Sequence, residues 1–265
     1  MADFINTVDV LGDDVVIDSI IDRTITEYCD DSVSKIGADA FRGCTALTNV
    51  DAPNAGIVEN SAFNGCTALK RVSIPKASSL SNSVFRGCSE LTEVFAPNVE
   101  TCYGWAFCQS PKLSDVYMPK LTMTDRESFK RTGLTKQCFP CLTTVGIGSF
   151  GTCANLTFMD LPVCTYIGSG AFSQSSNFAT LILRSETMCT LANEDAFLAG
   201  WPGGYTDIKD GTGYIYVPRA LLSDDDAAKD YRRATNWSAY AAQFRALEDY
   251  TVDGTITGEL DETKI

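Results

Sequence analysis

Apolar residues in this chain recur as a fixed block, not as a helical stripe. In the clearest copy, Ile36, Phe41, Leu47 and Val50 stand among small or polar residues, and the block closes on Pro53. The next copy places Phe63, Leu69, Val72 and Ile74 before Pro75. Eight phenylalanines keep time, Phe41, Phe63, Phe85, Phe107, Phe129, Phe150, Phe172 and Phe197, separated by 22, 22, 22, 22, 21, 22 and 25 residues. Such a period marks a solenoid, because each repeat is too short to bury its own apolar face and must share a core with its neighbours.

Within a copy, the stretch from leucine to proline carries apolar residues at its first, fourth and sixth positions, as in Leu69, Val72 and Ile74. The last two follow the alternation of a strand with one buried face, so each copy is expected to give one short strand to a parallel sheet. Proline ends that strand because it has no N–H for the ladder. The segment around the phenylalanine, such as Ser61-Ala62-Phe63-Asn64-Gly65-Cys66, is too short for a long helix and predicts one helical or 3₁₀ turn on the opposite wall. Its phenylalanine is the inward anchor, worth about 1.5–3 kcal/mol when fully buried. The expected fold is thus an α/β repeat solenoid with a parallel sheet along one face, short helical or 3₁₀ turns on the other, and terminal caps.

The pattern IGxxAFxGCxxLxxVxxP resembles the BspA-type leucine-rich repeat over residues 33 to 218. That family occurs in bacterial surface adhesins, in some parasite surface proteins and in phage or prophage genes, and the resemblance implies a binding scaffold. The closing run VPRALLSDDDAAKDYRRATNWSAYAAQFRALEDY resembles the end of repeat proteins of this type encoded in phages of gut bacteria. Some copies depart from the pattern. The coil at Phe129 is one residue short before Leu134, Gln137 replaces an apolar strand residue, Arg184 replaces the proline after Phe172, and Gly200 to Tyr205 expand the next unit.

Expected organisation is an N-terminal cap over 1–35, a solenoid over 36–218 of about eight 22-residue repeats, a helical cap over 219–250 and a polar tail over 251–265. The first cap is expected to hold strands at Val15-Val16-Ile17, Ile20-Ile21 and Thr24-Ile25-Thr26. For the second, Ser223 is expected to cap an amphipathic helix that carries Ala227, Tyr231, Ala234, Trp237, Ala241, Phe244 and Leu247 on one side.

Composition narrows the function. A formal net charge of −13 opposes nucleic-acid binding and favours a basic partner. Met1 to Thr7 lack a basic region followed by an apolar run, so no signal peptide is expected, and no apolar stretch is long enough to span a bilayer. Of eleven cysteines, Cys44, Cys66, Cys88 and Cys153 share one repeat position, which Ser110, Thr132 and Ser175 fill in other copies. That exchange predicts a ladder of small buried side chains instead of disulfides, in keeping with assembly in a reducing compartment.

Histidine is absent, which removes imidazole-based catalysis. Cys138-Phe139-Pro140-Cys141 forms a C-x-x-C, but it straddles a strand-ending proline with no helix start to activate a thiol. Asp224-Asp225-Asp226 could hold calcium, yet its place at a helix start favours compensation of the helix dipole. A glycosidase would need two carboxyls about 5–9.5 Å apart, and Asp51 and Asp160 lie several rungs apart. No catalytic residue, metal or cofactor is therefore expected.

The remaining candidate is the outward row of the sheet: Asp51, Ser73, Phe95, Tyr117, Cys138, Asp160 and Ile182, with Phe95 and Tyr117 on adjacent rungs. Trp201 and Tyr205 form a second candidate in their Gly-Pro loop. The expected function is a non-enzymatic phage virion component, as a tail-fibre, baseplate or decoration protein bound to virion subunits, a host receptor or a glycan. The alternative is a bacterial surface or secreted adhesin. An oligomer is compatible with either.

Overall fold

The structure, a computed structural model, describes residues 6–11, 14–20, 23–198, 206–252 and 255–256. It divides into two compact units, Met1–Leu134 and Thr135–Ile265. Each is a parallel-strand solenoid.

In the N-terminal unit, Glu27–Cys29, Asn49–Asp51, Arg71–Ser73, Glu93–Phe95 and Asp115–Tyr117 pair in parallel, rung upon rung. Their middle residues Tyr28, Val50, Val72 and Val94 are buried, and the residues on either side face outward. Each coil also carries a second strand of two residues, which the one-strand expectation missed. Lys35–Ile36 pairs with Ile57–Val58, and Ser79–Leu80, Thr101–Cys102 and Met123–Thr124 pair with one another. Two residues are too few to show alternation, so only the coil-to-coil ladder defines these strands. At the start of the unit, Asp14–Ile20 pairs with Lys35–Ile36 and folds back on Asn6–Leu11 as an antiparallel hairpin. Thr24 to Thr26, expected in a strand, instead lead into Glu27–Cys29.

The phenylalanine wall consists of consecutive short turns, each closed by a bond of the 3₁₀ type between residues three apart. The Arg42 N–H donates to the Asp39 carbonyl and that of Cys44 to Phe41, while the N–H groups of Asp39, Phe41 and Gly43 donate to Asn60, Ala62 and Asn64 of the next coil. Aiming alternate amides at the next coil requires positive φ two residues before and after the phenylalanine. Ser61 and Gly65 hold φ 58° and 74° around Phe63. Glycine reaches this region without steric cost, but in later coils Gln109, Arg131 and Thr152 hold φ 66°, 60° and 58°. Gly133 serves a different need. In the coil that is one residue short, a Cβ there would stand 2.4 Å from the Pro111 carbonyl oxygen.

Inside the N-terminal unit the rings of Phe41, Phe63, Phe85, Phe107 and Phe129 stack with centroids 4.9, 5.2, 5.4 and 5.1 Å apart, all fully buried. Such stacks add about 0.5–1.5 kcal/mol per pair beyond area burial. The Cys66 thiol donates to the Phe41 carbonyl at 3.0 Å and Cys88 to Phe63 at 3.2 Å, and the Ser110 hydroxyl donates to Phe85 at 3.1 Å. A small donor is what this position needs, which explains the exchange of Cys with Ser. Burial, and next the neighbouring Cys44, push the Cys66 thiol up to about 12. None of the eleven cysteines is joined in a disulfide.

In the C-terminal unit Lys136–Cys138, Phe158–Leu161, Thr180–Leu183, Tyr214–Val217 and Phe244–Ala246 pair in parallel, and Thr144–Val145, Tyr166–Ile167 and Thr190–Leu191 make the second ladder. The expected amphipathic helix is replaced by 3₁₀ turns at Ala227–Lys229, Tyr231–Arg233 and Trp237–Gln243, followed by the strand Phe244–Ala246. Ser223 does cap the Asp226 N–H, but the carboxylates of Asp226 and Asp230 accept from the N–H groups two residues on. These local turns compete with a continuous helix.

This segment closes the last coil. Where another coil would supply backbone donors, the Trp237 indole donates to the Cys189 carbonyl at 2.7 Å, the Asn236 amide to Leu191 at 2.8 Å and the Tyr240 hydroxyl to Glu194. The Phe197 ring, which ends the ladder Phe150–Phe172–Phe197, meets Tyr240 edge-on at 5.0 Å. Thr251–Val252 and Thr255–Ile256 pair with each other.

Candidate functional site

The outward face of the three-residue strands carries the candidate residues. In the N-terminal unit one row reads Glu27, Asn49, Arg71, Glu93, Asp115 and the next Cys29, Asp51, Ser73, Phe95, Tyr117. The sheet thus brings Asp51, Ser73, Phe95 and Tyr117 onto successive rungs. The Phe95 and Tyr117 rings stack at 5.3 Å, 4° from parallel, while remaining 42% and 37% exposed. Arg71 pairs with Glu93 at 2.9 Å, and the Asn49 amide donates to Glu27 at 3.1 Å. Asp51 is exposed, and its carboxylate has no partner among the described residues.

In the C-terminal unit Cys138, Asp160, Ile182 and Tyr216 share the corresponding row. Asp160 and Ile182, expected on an open face, are instead 3% and 0% exposed. Two groups close in beside this row. The Arg184 guanidinium closes on the Asp160 carboxylate, with Nε at 2.9 Å and a terminal nitrogen at 2.7 Å from one oxygen. The Tyr250 ring then lies against Phe158 and Tyr216, with centroids 6.4 and 4.7 Å away. Burial pushes the Asp160 carboxyl up against the pull of that guanidinium.

The row therefore ends on an aromatic cluster that strand alternation in the single repeats did not reveal: Phe158, Tyr214, Tyr216 and Tyr250, with Arg245 over the Tyr214 ring at 4.3 Å. Extending the register from Ile182 would have reached Tyr216, because Tyr214-Ile215-Tyr216-Val217-Pro218 reads as a repeat strand. Tyr250 carries no such signal.

Cys138 and Cys141 are exposed, but burial of the Cys138 sulfur and next the nearby Asp160 push its thiol up to about 11, away from a reactive thiolate. Asp224 pairs with Arg232 at 2.7 Å, and Asp226 caps Ala228. Among the described residues no three His, Cys, Asp or Glu side chains converge as a metal site would require, and no helix is long and apolar enough to cross a membrane. Trp201 and Tyr205 lie outside the described residues.

A coil of two short parallel strands and a phenylalanine turn, stacked on an inward aromatic ladder, defines a repeat solenoid that displays side chains along its sheet. The profile of the BspA type leucine rich repeat region matches residues 24–134 and 122–199 in six copies, and the chain belongs to that family. Similar solved structures include a leucine rich cell surface protein from Faecalibacterium prausnitzii, at 18% identity over 80% of this chain and 68% of that one, TM-score 0.48. A leucine rich repeat protein of T. pallidum is 23% identical over 67% of this chain and 78% of that one, TM-score 0.48. Among curated proteins none matches the sequence. As a repeat protein of this family, the chain is suited to protein binding or adhesion.

Proposed function

We propose that this protein is a non-enzymatic binding module that holds another protein on the outer sheet face of its N-terminal unit. The observation that carries the reading is the Phe95–Tyr117 stack, two large rings left more than a third exposed on a regular ladder. Rigid aromatic anchors of this kind dominate binding energy where proteins meet.

The proposed setting is a phage particle, in which the protein serves as a tail-fibre, baseplate or decoration component facing virion subunits or a host receptor. Its closing segment resembles phage-encoded repeat proteins, and eight buried cysteines outside any disulfide fit folding in a reducing cytoplasm. A second reading, a bacterial surface adhesin, is favoured by membership of a repeat family that occurs in such adhesins. Mass spectrometry of purified virions, set beside protease shaving of intact cells, separates the two. Peptides of this chain in the particles support the first, and release from the cell surface supports the second.

A further inference from the structure

We infer that the outer face of the N-terminal unit takes an arginine side chain of its protein partner, in a slot floored by Ser73 and walled by the Phe95 ring and the Asp51 carboxylate. This rests on the reading of that face as a binding surface and names the chemistry of what it binds.

The slot follows from the register. Asp51, Ser73, Phe95 and Tyr117 occupy consecutive rungs. One face of the Phe95 ring is covered by Tyr117. The other turns toward the Ser73 rung, where the side chain is too short to cover it. Rungs lie about 4.8 Å apart, so Phe95 and Asp51 stand about 9.6 Å apart across Ser73, leaving room for one planar group stacked on the ring.

Charge selects the group. Asp51 has no partner among the described residues, and the one cation on these two rows, Arg71, is engaged by Glu93 at 2.9 Å. Glu27 and Asp115 add negative charge to the same rows of a chain whose formal net charge is −13. A guanidinium is both planar and cationic, so it can stack on Phe95 while pairing with Asp51. A neutral sugar would leave the carboxylate uncompensated, and an ammonium would not fill a flat slot.

In the C-terminal unit two arginines of the chain itself take up a ring and a carboxylate on neighbouring rows of the sheet. There Arg245 lies over the Tyr214 ring at 4.3 Å, and Arg184 grips Asp160 with two nitrogens. On the N-terminal unit no arginine among the described residues lies over the Phe95 ring or pairs with the Asp51 carboxylate.

The test titrates the full chain, carrying ¹³C-labelled phenylalanine rings, with the peptide acetyl-Gly-Arg-Gly-amide, its citrulline and lysine counterparts, and maltotriose. The arginine peptide is expected to shift the Phe95 ring signals. Citrulline, lysine and Asp51→Asn should each weaken the response about threefold or more, the size of a surface ion pair. Ser73→Phe, which extends the aromatic row into the slot, should abolish it. Silence toward the arginine peptide, an equal response to citrulline, or a response to maltotriose alone overturns the slot. Attachment of the Phe95→Ala/Tyr117→Ala variant to cells or particles separates the two claims. Lost attachment with a silent arginine peptide removes the slot and leaves the binding face standing, whereas unchanged attachment overturns both.

Discussion

Arg184 stands where other coils carry proline, and its guanidinium grips the Asp160 carboxylate of the preceding rung through Nε at 2.9 Å and a terminal nitrogen at 2.7 Å. Their side chains are only 14% and 5% exposed. Removing one partner from a buried pair leaves an uncompensated charge and costs about 3–5 kcal/mol. Arg184→Ala should therefore destabilise the C-terminal unit by about that much in urea denaturation followed by circular dichroism. Asp160→Leu/Arg184→Leu should recover most of the loss, because the cost belongs to the orphaned charge and not to the pair.

The same pair marks the limit of what the chain discloses before it folds. The phenylalanine beat, the buried Val72 and Ile74, and the donor ladder of Cys66, Cys88 and Ser110 are all local, repeated features, and repetition makes them legible. Spacing alone puts Phe95 and Tyr117 on adjacent rungs. The Tyr250 ring that lies against Phe158 and Tyr216 comes from a distant part of the chain, and no periodicity links it to them. The two-residue strands such as Ser79–Leu80 stay hidden because their hydrogen bonds lie between coils. Aromatic spacing from Tyr231 to Phe244 suited a helix, but the carboxylates of Asp226 and Asp230 turn the chain locally instead.

The thiol ladder should tolerate serine and reject an apolar isostere. Cys66→Ser keeps the second donor to the Phe41 carbonyl, whereas Cys66→Val leaves that carbonyl with the Cys44 N–H alone and should cost about 0.5–1.5 kcal/mol, one net hydrogen bond. A buried thiol held up at about 12 stabilises the fold fully below the ordinary thiol value of about 8.5, and that contribution fades as pH climbs from there. Thermal melts above pH 9 should thus fall less for Cys66→Ser than for the parent. In native protein a thiol reagent should modify Cys29, Cys138 and Cys141 first, and all eleven cysteines only in denaturant.

Thr152 holds φ 58°, a conformation that its branched side chain disfavours. Left-handed backbone costs an L-residue roughly 1–2 kcal/mol. Thr152→Gly should stabilise the C-terminal unit by about 1 kcal/mol, since its N–H to Ser173 carbonyl bond of 2.7 Å is kept. A lower melting midpoint would show that the threonine relieves this cost elsewhere.

Asp230 is buried, which raises its pKa, but hydrogen bonds from Arg232 and Arg233 outweigh burial and hold the carboxyl down at about 2. A depressed carboxyl stabilises above its unfolded value of about 3.9 and loses that contribution as pH falls toward 2. Acid titration of the parent should show a stability loss in that window, and Asp230→Asn should flatten it.

Exposure of two stacked rings on the N-terminal unit is the centre of the functional account. The most direct measurement compares attachment of the full chain and of Phe95→Ala/Tyr117→Ala to the cells or particles that the parent binds, with melting midpoints recorded for both. The account predicts at least about a tenfold loss of attachment, the effect of losing one interface anchor, at an unchanged melting midpoint. Equal attachment by the two proteins would contradict it.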